Sequence, residues 1–175
     1  MILNCTDIKT AAPGPMDGQK LTYSSYRGMN SFKVLIGVAP NPVTTFASKL
    51  YPCSVSDKAI VQDSRVLSVS EPEDLILADK GFLIQDIVPN GVAVNIPPFV
   101  NHGKFSEGEV KLTKNIAKCR IHVERANARL KDFRILTFIP PYLRCYADIV
   151  VQLCATLVNL QDPLIKEIRD STDFR

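Results

Sequence analysis

KLTKNIAKCRIHVERANARLKDFR, residues 111–134, places Ile116, Cys119, Val123, Ala126, Leu130 and Phe133 at alternating steps of three and four. That spacing draws one apolar stripe along a helix and predicts a long helix laid on a core. The other faces are basic: Lys111, Lys114, Lys118, Arg120, Arg125, Arg129, Lys131 and Arg134 stand against only Glu124 and Asp132. At about 100° per residue, Glu124 falls off the stripe, on the flank that carries Arg120, Asn127 and Lys131. Two readings of Glu124 are open. It pairs with Arg120 at i−4 on a solvated face, or it holds a metal ion while the cations around it hold a polyanion. Spacing by itself favours the first.

The same stretch dominates the charge. It carries a surplus of six positive charges in a chain whose net charge is +3, so the remainder is net negative. A basic element on an acidic body points to a local anionic partner and not to general stickiness. The 175 residues, 46 % hydrophobic and 22 % charged, have the size and composition of one ordinary domain. The five cysteines, Cys5, Cys53, Cys119, Cys145 and Cys154, are odd in number and lack CxxC spacing. That argues against a secreted disulfide framework and for reduced thiols. No apolar run approaches the roughly 18 residues of a membrane span, and no signal-peptide pattern precedes the first one. The expectation is an intracellular protein without a membrane partner.

Moving outward from the helix, residues 1–8, MILNCTDI, read as a strand, and a core strand beginning at the first residue suggests a truncated domain. Residues 9–25 read as a loop, with AAPGP and DGQK supplying turn residues. In SFKVLIGVA (31–39), Phe32, Val34, Ile36 and Val38 share one face of a strand, and VTTFAS (43–48) returns beside it as a hairpin. Ser56 caps a helix that ends near Leu67. DLILAD (74–79) is a short strand ending in Asp79, FLIQDIV a helical turn, and GVAVNIP (91–97) another strand. Residues 99–108 form a loop ahead of the basic helix. After Pro140-Pro141 a last helix spans about 145–160, with Tyr146, Ile149, Val150, Leu153, Leu157 and Leu160 as its apolar face. The domain therefore covers 1–163, and 164–175 is a charged tail. Three antiparallel strands followed by βα units give an α/β mixed sheet flanked by helices, in the order of the ribonuclease H-like fold. That order sets the first and fourth strands side by side, with residue 4 near residue 79.

ADKGF (78–82), NIPPF (95–99) and RIHVERANARLKDFRIL (120–136) resemble a DDE superfamily transposase nuclease domain, of the Harbinger-type transposase-derived group. YPCSVSDKAI (51–60) resembles the segment after the family's third strand, and NCTDI (4–8) its first strand. The resemblance covers about residues 1–163 and is most specific over 120–136. It implies three carboxylates holding two Mg²⁺ or Mn²⁺ ions, which activate a water or 3′-hydroxyl and steady the leaving oxygen of a DNA phosphodiester. Asp79 would be the second acid and Glu124 the third. The first-acid position is Asn4, which offers a neutral oxygen in place of a charge, so impaired cleavage is expected. Asp7 is a poorer substitute, because residues 4 and 7 of a strand point to opposite faces. Lys114, Lys118, Arg120, Arg125, Arg129 and Lys131 are the candidate phosphate contacts. Asp57 reads as charge at a helix N-terminus. The resemblance implies DNA as substrate and the nucleus, with the cytoplasm also open, as location. It also implies a target-reading module in a missing N-terminal domain or a separate DNA-binding protein, since no such reader is visible. The alternative is a domesticated, inactive fold that binds DNA or protein.

Overall fold

Alternating apolar residues build the two longest strands. The computed structural model describes residues 1–97 and 107–162. In chain order the elements are β1 (Ile2–Lys9), α1 (Met16–Thr22), β2 (Tyr23–Ser24), β3 (Met29–Val38), β4 (Thr44–Ala47), β5 (Tyr51–Pro52) and α2 (Asp57–Ser64). They continue with β6 (Leu75–Leu77), β7 (Ala93–Asn95), α3 (Glu107–Asp132) and α4 (Ala147–Val158).

β1 pairs antiparallel with β3 from Ile2↔Val38 to Lys9↔Ser31. Its other edge pairs parallel with β6 at Ile2↔Leu77, and β6 pairs parallel with β7. β2, β4 and β5 line the far edge of β3. This is a mixed sheet in ribonuclease H-like order, and the first strand lies beside the strand that leads to Asp79.

Both faces are covered. Ile2 and Ile8 of β1, and Val34, Ile36 and Val38 of β3, pack with Val123, Ala126 and Leu130 of α3 and Val151 of α4. Leu3 and Leu35 point the other way, into Tyr51, Ile60, Val61, Phe82 and Ile84. α2 begins as its sequence predicts: the Ser56 hydroxyl accepts a hydrogen bond from the Ala59 amide.

Four expectations change. Residues 9–25 hold α1 and β2 within the expected loop, and Thr22 of α1 is buried. FLIQDIV (82–88) is a run of turns, closed by Phe82 N–H to the Asp79 carbonyl and Ile87 N–H to the Ile84 carbonyl. Phe82 and Ile84 are both buried, a two-residue step that a helix would split between faces. The short strand β5 pairs Tyr51 and Pro52 with β3. Most of the expected inward face of the last helix is turned out: Ala147, Val151, Cys154, Ala155 and Val158 are buried, while Tyr146, Ile149, Leu153, Leu157 and Leu160 are exposed and Val150 of the expected face packs partly buried against the core. α4 carries apolar residues on both sides of a polar stripe, Asp148, Gln152 and Thr156, so periodicity leaves two candidate inner faces, and the smaller residues let it sit closer to the sheet. The expected loop 99–108 lies largely, and the 164–175 tail wholly, outside the described residues.

α4 is also tied to the edge of the sheet. The Asn159 side chain accepts from the Thr44 amide and donates to the Thr44 carbonyl, both at 2.8 Å, as a neighbouring strand would. The Asp148 carboxylate accepts from the Leu50 amide at 2.7 Å. We predict that Leu130→Ala, which empties the contact of α3 with β1 and β3, lowers unfolding free energy by about 3 kcal/mol in urea titration.

Candidate active site

Asp79 follows β6 and is held by its own loop. Its Oδ1 accepts from the Lys80 amide at 2.7 Å, and its carbonyl accepts from the Phe82 amide at 2.9 Å. The turn is closely packed at Gly81: a Cβ at that position would lie 3.1 Å from Oδ2 of Asp57. Asp57, the first residue of α2, is fixed by an ion pair with Lys33 of β3 at 3.1 Å. The N-terminus of α2 thus braces the turn that presents Asp79.

Glu124 rides on α3 between buried Val123 and Ala126, so the apolar contact fixes its height above the sheet. Arg120, one turn earlier, joins the two acids. Its guanidinium donates from both terminal nitrogens to the two oxygens of Asp79, each at 3.1 Å. The same Nη2 lies 3.5 Å from Oε1 of Glu124. Asp79 and Glu124 therefore converge on one cation: Glu124 pairs with Arg120 at i−4, and the same guanidinium is bound to Asp79. The Arg120–Glu124 pair was legible in the spacing; the bond from Arg120 to Asp79 was not, because it spans 41 residues.

Asn4 is half-buried on β1, on the face of Ile2 and Ile8 that meets α3. The Ile2↔Leu77 register, followed two residues along both chains, leads to Asn4 and Asp79. Asp7 is three residues further, about 10 Å along the strand, and its carboxylate is paired with Arg27 at 3.1 Å. Among the described residues no three His, Cys, Asp or Glu side chains gather closely enough to hold a metal ion. Cys5, neighbour of Asn4, points to the opposite layer, where burial and then the charge of Asp57 push its thiol far above the ordinary range, against the pull of Lys33. It is not a nucleophile at neutral pH.

The basic residues separate into groups. Lys114, Lys118 and Arg125 are exposed and fall within about 40° of one another around α3, roughly 100° from Glu124. Arg120 is committed to the two carboxylates. Arg129 is half-buried and donates to the Asp162 carbonyl. Lys131 lies near Arg27 and Asp7; burial and then the Arg27 charge hold its ammonium below the usual lysine range, against Asp7. His122 is half-buried beside Cys119, Leu75 and Leu77 in a cavity of about 180 Å³, and its Nδ1 has no hydrogen-bond partner. No described helix is long and apolar enough to cross a membrane.

A ribonuclease H-like sheet that presents two carboxylates beside a basic helix has the layout of a nuclease domain. A family model described as DDE superfamily endonuclease matches residues 3–159, and the chain belongs to that family, as a transposase-derived nuclease domain. Comparison with curated proteins and with solved structures returns no match.

Removing Arg120 leaves two carboxylates facing each other. Both are substantially exposed, so solvent screens the repulsion. Arg120→Gln is expected to cost about 1 kcal/mol of stability in denaturant titration at low salt, and less as salt is added.

Proposed function

We propose that this domain is a Harbinger-type, divalent-metal DNA endonuclease fold whose cleavage is impaired at Asn4, with α3 gripping the DNA backbone. The observation that carries this reading is the convergence of Asp79 and Glu124 on the Arg120 guanidinium, with Asn4 on the adjoining strand. Two acids that draw one cation between them are a fitting donor pair for one Mg²⁺ or Mn²⁺. Both prefer oxygen ligands, and Mg²⁺ commonly keeps several waters. Asp79, Glu124 and the Asn4 side-chain oxygen would hold it, and when bound it supplies Lewis-acid activation of a phosphodiester and its attacking water. A pair of divalent ions fits poorly, because two carboxylates balance only half of four positive charges.

The chain's own residues divide the remaining work. Arg120 neutralises Asp79 and Glu124 while they face each other, and must release them for a stronger cation to enter. The exposed Lys114, Lys118 and Arg125 provide positive charge that phosphates can neutralise by releasing their counterions. A second reading is a DNA- or protein-binding module without chemistry. Its specific support is the guanidinium already seated between the carboxylates, together with the missing first acid.

The discriminating experiment is a side-by-side thermal melt and supercoiled-plasmid nicking assay with Mn²⁺. The chain as it stands should gain little melting temperature and nick slowly or not at all. Asn4→Asp should gain metal-dependent stabilisation, since a ligand that binds only the folded state raises its stability. It should also gain nicking, and Asn4→Asp with Glu124→Gln should lose both. Nicking by the unaltered chain that disappears on Asp7→Asn would instead make Asp7 the first-strand ligand.

The grip is tested by salt. Affinity for duplex DNA should fall with a log–log slope of about −0.9 per phosphate neutralised, and replacing Lys114, Lys118 and Arg125 with Ala should flatten it by up to about three units. An unchanged slope would remove these residues from the interface.

A further inference from the structure

The flank of α3 that carries Glu124 also carries Lys131. Seven residues separate them, so Lys131 lies within about 20° of Glu124 around the helix and about 10 Å further along it. On β1 the step from Asn4 to Asp7 is also about 10 Å. Lys131 lies within electrostatic reach of Arg27 and Asp7, and Nε of Arg27 donates to Oδ2 of Asp7 at 3.1 Å. β6 pairs with β1 at Ile2 alone, so among the described residues no strand covers the edge of β1 between Asn4 and Ile8, and Lys131 meets Asp7 past that edge. The acid pair and this cation pair therefore follow one line along α3. Two cations against one carboxylate leave a positive charge over.

The turn that carries Arg27 is built to hold it there. Gly28 takes φ +63°, which admits the tight reversal between β2 and β3. The Gly28 amide donates to the Ser24 carbonyl at 2.8 Å, and the Arg27 amide to the Ser24 hydroxyl oxygen at 3.3 Å. Arg27 bonds Asp7 through Nε, which leaves its two terminal nitrogens to other acceptors. Tyr26, at the tip, is 90 % exposed, more than any other large hydrophobic side chain among the described residues. The Arg27 guanidinium lies 5.6 Å from the centre of its ring, a cation–π contact that takes one face and leaves the other to solvent.

A strand that passes over Asp79 and Glu124 needs positive charge on their own side. Lys114, Lys118 and Arg125 do not supply it, since they lie roughly 100° from Glu124 around α3, and Arg120 is bound to the acids. We propose that Arg27 and Lys131 hold a backbone phosphate about 10 Å from the carboxylate pair, and that the free face of Tyr26 stacks on an unpaired base beside it. An exposed ring among cations suits single-stranded nucleic acid, because every base offers a π-face that in duplex is already stacked. The occupant is therefore a DNA strand that is unpaired next to the site. The presence of that strand rests on the nuclease reading; the contact itself needs neither metal nor cleavage.

Fluorescence anisotropy of the full chain without metal decides, using a labelled blunt hairpin duplex and the same hairpin with a single-stranded tail of about ten nucleotides. The tailed hairpin should bind at least about fivefold tighter, the strength of one stacked base. Tyr26→Ala should abolish that preference, and Tyr26→Phe, which keeps the ring, should retain it. Arg27→Gln combined with Lys131→Gln should flatten the log–log salt slope for the tailed hairpin by about 0.9, one phosphate's share. Arg65→Gln, which removes an exposed cation at the end of α2, should leave preference and slope unchanged. Should the double variant fail to fold, the Tyr26 pair decides, because that side chain is almost wholly in solvent. Equal binding of the two hairpins, a preference that survives Tyr26→Ala, or an unchanged slope in the double variant would each overturn the proposal and leave the grip of Lys114, Lys118 and Arg125 standing. Failure of the unaltered chain to bind either hairpin would overturn both.

Discussion

An eight-pair antiparallel ladder between β1 and β3 leaves β1 with one open edge and leaves both strands with two faces to cover. Strands this apolar cannot leave a face in water. Ile2, Ile8, Val34, Ile36 and Val38 demand a helix layer on one side, and Leu3 and Leu35 demand packing on the other. α3 and α4 take the first layer; α2 and the turns around Phe82 take the second. The open edge of β1 accepts β6 in parallel, and a parallel neighbour must arrive by a crossover. That crossover carries α2 beneath the sheet and delivers the chain to Asp79, two residues past the end of the strand that pairs with β1. The position of the site is thus a consequence of how the central strands are covered.

At that position, electrostatics has a local solution. Two carboxylates drawn together by the fold repel each other unless a cation stands between them, and Arg120 supplies one from within α3 at 3.1 Å from Asp79 and 3.5 Å from Glu124. The guanidinium is planar and bidentate, which suits the two oxygens of Asp79. The arrangement is self-sufficient in the free protein, but it binds a single positive charge where the family's chemistry calls for more.

α4 answers a different constraint. Its polar ends close the exposed edge of the sheet: Asn159 occupies both backbone groups of Thr44, and Asp148 takes the Leu50 amide. An edge strand blunted in this way is a poor template for strand-to-strand association.

Much of this was legible in the residues. The step of two in SFKVLIGVA, the three-and-four stripe of 116–133, the Ser56 cap and the order of elements determine the strands, the long helix and the sheet class, because these depend on periodicity and on groups a few residues apart. The off-stripe place of Glu124 and its pairing with Arg120 belong to the same class of local fact. Three things were decided only in three dimensions. The inner face of α4 was one, because apolar residues flank its polar stripe of Asp148, Gln152 and Thr156 on both sides, and the fit to β4 and α3 selected the smaller ones. The turns of 82–88 were another, because burial of both Phe82 and Ile84 outweighed local helical preference. The third was the bond from Arg120 to Asp79: it joins residues 41 apart in the chain, and only the sheet order and the height of α3 above it bring that cation between the two acids.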